Sequence, residues 1–272
     1  MHAWAWTGGG FEPADGIPVT DRAFRYGMSV FESLRIHNGT PILLDNHLRV
    51  LQWACDAVEF IPPAGAFAAC GELFKNAPDG FARIYVTAGD GSVNAPLDRC
   101  RVLIFIEPRE PVAPNVYLRG YDLAIHPQPW TPPFPGLKTG NYWPHVRAFN
   151  AGIANQCNES LLLSPDGVLI SAAMANVFIV TNGKLMTPAS YLGSTGPSDT
   201  CRPGTVREWV MRNFRIAQES FIRRDQLDAA TEIFLTSSWL GIMPVASIEG
   251  RQLLRSVTTT VFEAYRQEFG LP

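Results

Sequence analysis

Paired cysteines, a long apolar run and a dominant charge sign are all missing from this chain, and each absence removes a class of function. The five cysteines, Cys55, Cys70, Cys100, Cys157 and Cys201, are odd in number, widely spaced and never arranged as Cys-x-x-Cys. That spacing builds neither a disulfide framework nor a zinc cage, so they read as buried free thiols in a reducing compartment. No uninterrupted apolar stretch approaches the roughly 20 residues needed to span a bilayer. The opening residues, Met1 to Gly10, have no basic segment leading into an apolar run, so they do not read as a signal peptide. A formal net charge of -3 and a pI near 6.0 argue against nucleic acid or an anionic membrane as the main partner, while leaving room for a local anion pocket. The expectation is a cytoplasmic protein that binds neither.

What remains is an ordinary globular composition. The 272 residues are 46% hydrophobic and 17% charged, enough for one large domain or two medium ones. Ser29 to Ile36 alternates in period two, a turn signal follows at His37–Thr40, and Pro41–Leu44 resumes an extended run. A helix is expected from Asp45, a suitable N-cap, to about Glu59, with Leu48, Leu51, Ala54, Cys55 and Val58 at helical spacing. Another should cover Ala66 to Lys75, and alternating strands return at Ala82–Thr87 and Arg101–Ile106. Prolines cluster between Glu107 and Asn115 and again from Pro127 to Pro135, with a strand at Tyr121–His126 between them. The linker is placed at 108–118, dividing a domain of residues 1–113 from one of residues 119–272.

The second half mixes both periodicities. A helix is expected from Pro144 to about Asn155, with strands at Glu159–Leu163, Val168–Ile170 and Asn176–Val180. An Asn182-Gly183 hairpin turn leads to Leu185–Thr187. Pro203-Gly204-Thr205 opens a helix to about Asn213, and Glu232–Thr236 is a further strand. Strands interspersed with helices in two unequal halves imply α+β architecture with a cleft between them.

Lys138, in Pro133-Phe134-Pro135-Gly136-Leu137-Lys138-Thr139-Gly140-Asn141-Tyr142, is the residue with most chemistry to offer. A lysine in a loop is commonly a solvated surface charge. Its amine can instead condense with an aldehyde, provided its surroundings make it nucleophilic. Gly204-Thr205-Val206 at a helix start could present backbone N–H groups and a positive dipole end to a phosphate, or could be an ordinary helix start.

The run Asp21 to Arg35, the helix carrying His47, Leu48 and Leu51, and the Lys138/Tyr142 pair resemble the class IV (fold type IV) aminotransferases. So do Gly167 to Phe178, Cys201 to Arg207, and Glu232 to Val245. That pyridoxal-phosphate family includes branched-chain and D-amino-acid aminotransferases and aminodeoxychorismate lyase. The resemblance implies an α/β (α+β), two-domain fold with the cofactor at the domain interface, the C-terminal domain carrying lysine and phosphate loop, and a homodimer. It implies that Lys138 is the Schiff-base lysine and that Tyr142 contacts the cofactor phenolate. Gly204, Thr205 and Val206, with Ser237 or Ser238, would hold the phosphate. Tyr26, Arg35 and Arg83 are candidates for the substrate carboxylate, and His47 reads as structural.

Two positions depart from the pattern. Where the family pairs a glutamate with the pyridine nitrogen, this chain has Ser171, a neutral residue that cannot hold the ring proton comparably. That favours elimination over full transamination. The family's phosphate-binding arginine falls on Val50; Arg49 is adjacent, but one step along a helix turns a side chain by about 100°. Met28, where aspartate is usual, is a smaller difference. The expected function is a pyridoxal-phosphate-dependent aminotransferase or lyase acting on a small amino acid or aminodeoxychorismate-like amine. The alternative is a degenerate member with weak or no cofactor binding, acting as a small-molecule or anion binder.

Overall fold

A computed structural model of the chain describes residues 2–75, 77–131, 134–190 and 200–272. Pro132 and Pro133 of the second proline cluster lie outside the described residues. The chain divides into two compact units, Met1–Pro111 with Leu137–Tyr142, and Val112–Gly136 with Trp143–Pro272. The sequence reads residues 108–118 as linker. That stretch is not wholly extended, because Pro114, suited to a first helical turn, opens a short helix at Pro114–Arg119. The segment carrying Lys138, expected with the C-terminal half, groups with the first unit.

In the first unit the elements run β1 (His2–Trp6), β2 (Phe11–Pro13), α1 (Arg22–Tyr26), β3 (Ser29–His37), β4 (Thr40–Pro41), α2 (Leu44–Ala57), α3 (Ala66–Phe74), β5 (Gly80–Thr87) and β6 (Arg101–Pro108). The strands form one antiparallel sheet in the order β2-β1-β6-β5-β3-β4. Because side chains alternate across a strand, the two faces differ in chemistry. Val30, Leu34, Ile36, Ala82, Ile84, Val86, Val102, Ile104 and Ile106 share a core with Leu51, Ala54 and Cys55 of α2 and Ala66, Cys70 and Phe74 of α3. Glu32 lies on this core side, where His47 Nδ1 is 2.8 Å from its carboxylate, so His47 is a buried structural residue. Ser29, Phe31, Ser33 and Arg35 occupy the opposite face, aligned with Thr87, Tyr85, Arg83 and Phe81 of β5.

The strand expected to resume through Leu44 stops at Pro41, and α2 starts at Leu44. Leu43, at φ 56°, takes the N-cap position, leaving Asp45 in the first turn, where a carboxylate meets the positive dipole end. Arg22 is fully buried and donates to the carbonyls of Gly89 (3.2 Å), Ala95 (2.7 Å), Pro96 (2.9 Å) and Ala88. One guanidinium thereby satisfies the backbone of the loop between β5 and β6. Cys55 and Cys70 are free thiols in this core, each pushed up to about 12 by burial.

The second unit contains α4 (Pro114–Arg119), β7 (Tyr121–Ile125), α5 (Trp143–Ala154), β8 (Glu159–Leu163), β9 (Leu169–Ala172), β10 (Asn176–Thr181) and β11 (Lys184–Pro188). It continues through α6 (Thr205–Asn213), β12 (Ala217–Ser220), α7 (Arg224–Asp228), β13 (Glu232–Ser237), β14 (Gly241–Ile248), β15 (Arg251–Gln252) and α8 (Ser256–Phe269). Its sheet runs β12-β11-β10-β13-β14-β7-β8-β9, with β15 on β14, and mixes antiparallel with parallel pairs. Asn182 and Gly183 both adopt positive φ, 50° and 71°, as the expected two-residue hairpin turn requires. Phe178 and Phe234 stack across β10 and β13 at 4.8 Å, in the centre of the sheet. Among the described residues no helix is long and apolar enough to cross a membrane, and no cluster of His, Cys, Asp or Glu could hold a metal.

Candidate active site

Lys138 reaches its place because β3 has a vacant edge. β4 covers only Ile36 and His37 of that strand, so the backbone of Ser29 to Phe31 needs another partner. The segment after Gly136 supplies it. Phe31 N donates to Lys138 O and Gly140 N to Ser29 O, both at 2.9 Å, with Thr139 opposite Val30. The approach is close at Gly140, where a Cβ would meet Ser29 Oγ at 2.2 Å.

The lysine side chain then runs along β3. Its Nζ donates to Ser33 Oγ at 2.9 Å and sits 4.6 Å from the centre of the Phe31 ring. Tyr142 meets Phe31 edge-on at 5.4 Å, Phe31 stacks on Tyr85 at 4.7 Å, and Tyr85 meets Phe105 edge-on at 5.7 Å. Burial pushes the Tyr85 hydroxyl's pKa up, with Arg83 opposing and Tyr142 adding to the shift, so it stays protonated at neutral pH. Beside this aromatic floor lies a cavity of about 350 Å³, lined by Ile17, Phe24, Arg83, Tyr85, Phe105 and Gly140 among others.

The first unit therefore brings Lys138, Tyr142 and Arg83 to one face, with Arg35 buried on the same face of β3, opposite Phe81. Arg83 is 3.4 Å from Glu107 and stacks on Phe81. Tyr26 is exposed at the end of α1 beneath the Arg25 guanidinium. Ser33, Phe31 and Tyr85 were not singled out from the sequence as site residues. The period-two alternation of β3 carried the signal, because it places Phe31 and Ser33 together on the face opposite the core.

The second unit holds the residues expected to form a phosphate loop. Gly204 is the N-cap of α6, with Thr205 and Val206 buried in the first turn. Asn176 on β10 donates from Nδ2 to Arg202 O at 2.8 Å, and a Cβ on Gly204 would meet its Oδ1 at 2.0 Å. Opposite Asn176 is Thr236 of β13, whose Oγ1 is buried without a hydrogen-bond partner. Ser237 follows, its Oγ accepting from Leu240 N at 3.2 Å and keeping its own hydrogen to donate. Ser238 is half-buried in the turn after it, and Ser171 is half-buried on β9, opposite Leu162 of β8.

Glu159 was also missed as a functional candidate. It is 3% exposed, accepts from Ser160 N (2.9 Å) and Met174 N (3.1 Å), and is pushed up to about 7 by burial. Its carboxyl braces the corner between β9 and β10, which carry Ser171 and Asn176. Val50 is 3% exposed, so the position matching the family's phosphate-binding arginine belongs to the core, while Met28 packs on that core's margin.

The model of the class IV amino-transferase family matches residues 29–248, and this chain belongs to that family. It is similar to the aminodeoxychorismate lyase of Bacillus subtilis, 29% identical over 244 residues, covering 84% of this chain and 80% of the relative. The structure of 4-amino-4-deoxychorismate lyase from Pseudomonas aeruginosa superposes with a TM-score of 0.81 at 25% identity, over 98% of each chain. A branched-chain aminotransferase from Thermoproteus uzoniensis, solved with norvaline, shares the fold at a TM-score of 0.83 and 22% identity, over 100% of this chain and 96% of that one.

Proposed function

We propose that this chain is a pyridoxal-phosphate enzyme with Lys138 as its catalytic amine, acting on a small amino acid or an aminodeoxychorismate-like amine. The observation that carries this reading is the placement of Lys138 Nζ on Ser33 Oγ at 2.9 Å, above an aromatic ring and half-buried, in place of projection into water. When bound, the cofactor supplies an aldehyde able to condense with amines and a ring that withdraws electrons from the carbon being deprotonated.

The residues suit both ends of that group. Lys138 would offer the amine that meets the aldehyde, and its Nζ would take and return the substrate α-proton. Tyr142 would donate to the phenolate oxygen. The N–H groups of Thr205 and Val206, with the hydroxyls of Thr205, Ser237 and Ser238, would hold the phosphate, and Gly204 lets the turn form against Asn176. Arg35, Arg83 and Tyr26 provide the cation and phenol that a substrate carboxylate seeks. Ser171 offers the ring nitrogen a neutral hydroxyl, which favours elimination over amino-group transfer. The working form is a homodimer in the cytoplasm, as in our reading of the family.

A second reading is favoured by Val50, whose burial leaves the phosphate without the expected arginine: a degenerate member that binds a small anion with little or no cofactor. Loss of one charge-assisted contact weakens binding by roughly ten- to a hundredfold. Absorbance separates the two. Purified protein given pyridoxal phosphate should develop a band in the violet that Lys138→Ala abolishes; a colourless wild-type protein that takes up no cofactor refutes the enzyme reading.

A further inference from the structure

We propose that Ser33 is a positioning residue for the Lys138 amine, an inference that rests on the reading of Lys138 given above. The lysine is tethered to β3 at two points two residues apart. Its carbonyl accepts from Phe31 N at 2.9 Å, and its Nζ donates to Ser33 Oγ at 2.9 Å. The methylene chain therefore lies along the strand, with the Phe31 ring beneath the amine at 4.6 Å. That floor is itself fixed by the Tyr85 stack, inclined by only 16°, and by the Tyr142 edge. Ser33 is 3% exposed, so its hydroxyl has little water to bond instead.

The choice of a hydroxyl matters. A serine accepts a hydrogen bond from an ammonium or amine N–H and can also donate to an amine lone pair. The tether thus survives the change of protonation state that a proton-carrying amine undergoes. A carboxylate at the same position would favour the ammonium alone, and an alanine would remove the hydroxyl's hold on the amine.

The chain has three lysines, Lys75, Lys138 and Lys184, which makes the amine individually readable by peptide mass spectrometry. Two reagents report opposite consequences of the tether. Formaldehyde with cyanoborohydride is small and untargeted, so release of the amine in Ser33→Ala should raise Lys138 labelling, relative to Lys184, about three- to tenfold. Pyridoxal phosphate trapped with borohydride must meet the amine at a fixed place, so the same variant should lower Lys138 labelling by a similar factor. Ser33→Thr, which keeps the hydroxyl, should return both rates to within about twofold of wild type.

Opposite shifts with rescue by threonine support the positioning role. Shifts in the same direction, unchanged rates, or failure of threonine to rescue would overturn it. If wild-type protein takes up no pyridoxal phosphate, the cofactor reading fails while the formaldehyde arm with its threonine rescue still decides the role of Ser33.

Discussion

Replacing Gly204 with alanine isolates the contact on which the turn before α6 depends. The backbone at this position is extended, φ −117° and ψ 134°, a conformation open to any residue, so alanine brings no backbone strain. Its Cβ would lie 2.0 Å from Asn176 Oδ1, 3.1 Å from Asn176 Cγ and 3.5 Å from Arg207 Cβ. The Asn176 amide must therefore retreat by more than about 1 Å to reach ordinary contact distance. It is 3% exposed and its strand position is fixed opposite Thr236, so the retreat breaks the 2.8 Å bond from Nδ2 to Arg202 O. Overpacking costs about 1–3 kcal/mol and the lost bond about 1 kcal/mol, so Gly204→Ala should destabilise by roughly 2–4 kcal/mol.

Asn176→Ala removes the bond but opens space, and should cost about 1–2 kcal/mol. In the double variant the clash has gone and the bond is lost only once, so the effects should fall short of additivity by roughly 2–4 kcal/mol. Urea unfolding followed by tryptophan fluorescence measures all three, with Trp209 of α6 as a buried probe next to the loop. Phosphate affinity of Gly204→Ala should also fall, by about tenfold, because the N–H groups of Thr205 and Val206 move with the turn. A single variant within about 0.5 kcal/mol of wild type, or strict additivity in the double, would refute the reasoning.

Glu159 makes stability pH-dependent in an unusual direction. Its folded pKa, about 7, lies above the ordinary value of 4.5, so between those values the folded state binds more protons and stability falls as pH rises. The loss at pH above 7 is on the order of 3 kcal/mol. Glu159→Gln should remove that slope, whatever it does to absolute stability; equal slopes in the two proteins from pH 4.5 to 7 would show that Glu159 does not titrate in this window. Ser171→Glu, by supplying a carboxylate for the ring nitrogen, should speed amino-group transfer at least about tenfold, the effect of one pKa unit on ring protonation. Single-turnover spectra with an amino acid measure it, and an unchanged rate would dispose of the ring-nitrogen argument.

Local pattern revealed much of this molecule before its contacts did. β8 occupies its expected bounds, β3 and β10 extend one residue beyond theirs, and α6 begins at Thr205 after Gly204 as the turn residues indicate. Each is specified within a few residues, by alternation or by a helix-start signal. β1 and β2 were not assigned, because two short strands near the N-terminus are defined by pairing with each other and with the remote β6. α4 hid inside a proline-rich stretch because proline both ends extended runs and suits a first helical turn. Placement of Lys138 in the first unit was also illegible. It depends on an edge of β3 left open by the brevity of β4, and on a bond between side chains 105 residues apart.

The same strand explains how that long-range bond is placed. Glu32 and Ser33 are neighbours, and alternation sends them to opposite faces of the sheet. The carboxylate goes to the core, where His47 Nδ1 meets it at 2.8 Å, and the hydroxyl goes to the face where Lys138 waits at 2.9 Å. A register slip of one residue would exchange them. The lysine would then face a carboxylate, which favours the ammonium over the amine that attack on an aldehyde requires. The nine residues of β3, bonded in register to β5 from Ser29 to Ile36, hold that exchange off. The strength of this strand pairing is therefore a condition for the contact between Ser33 and an amine that belongs to neither strand.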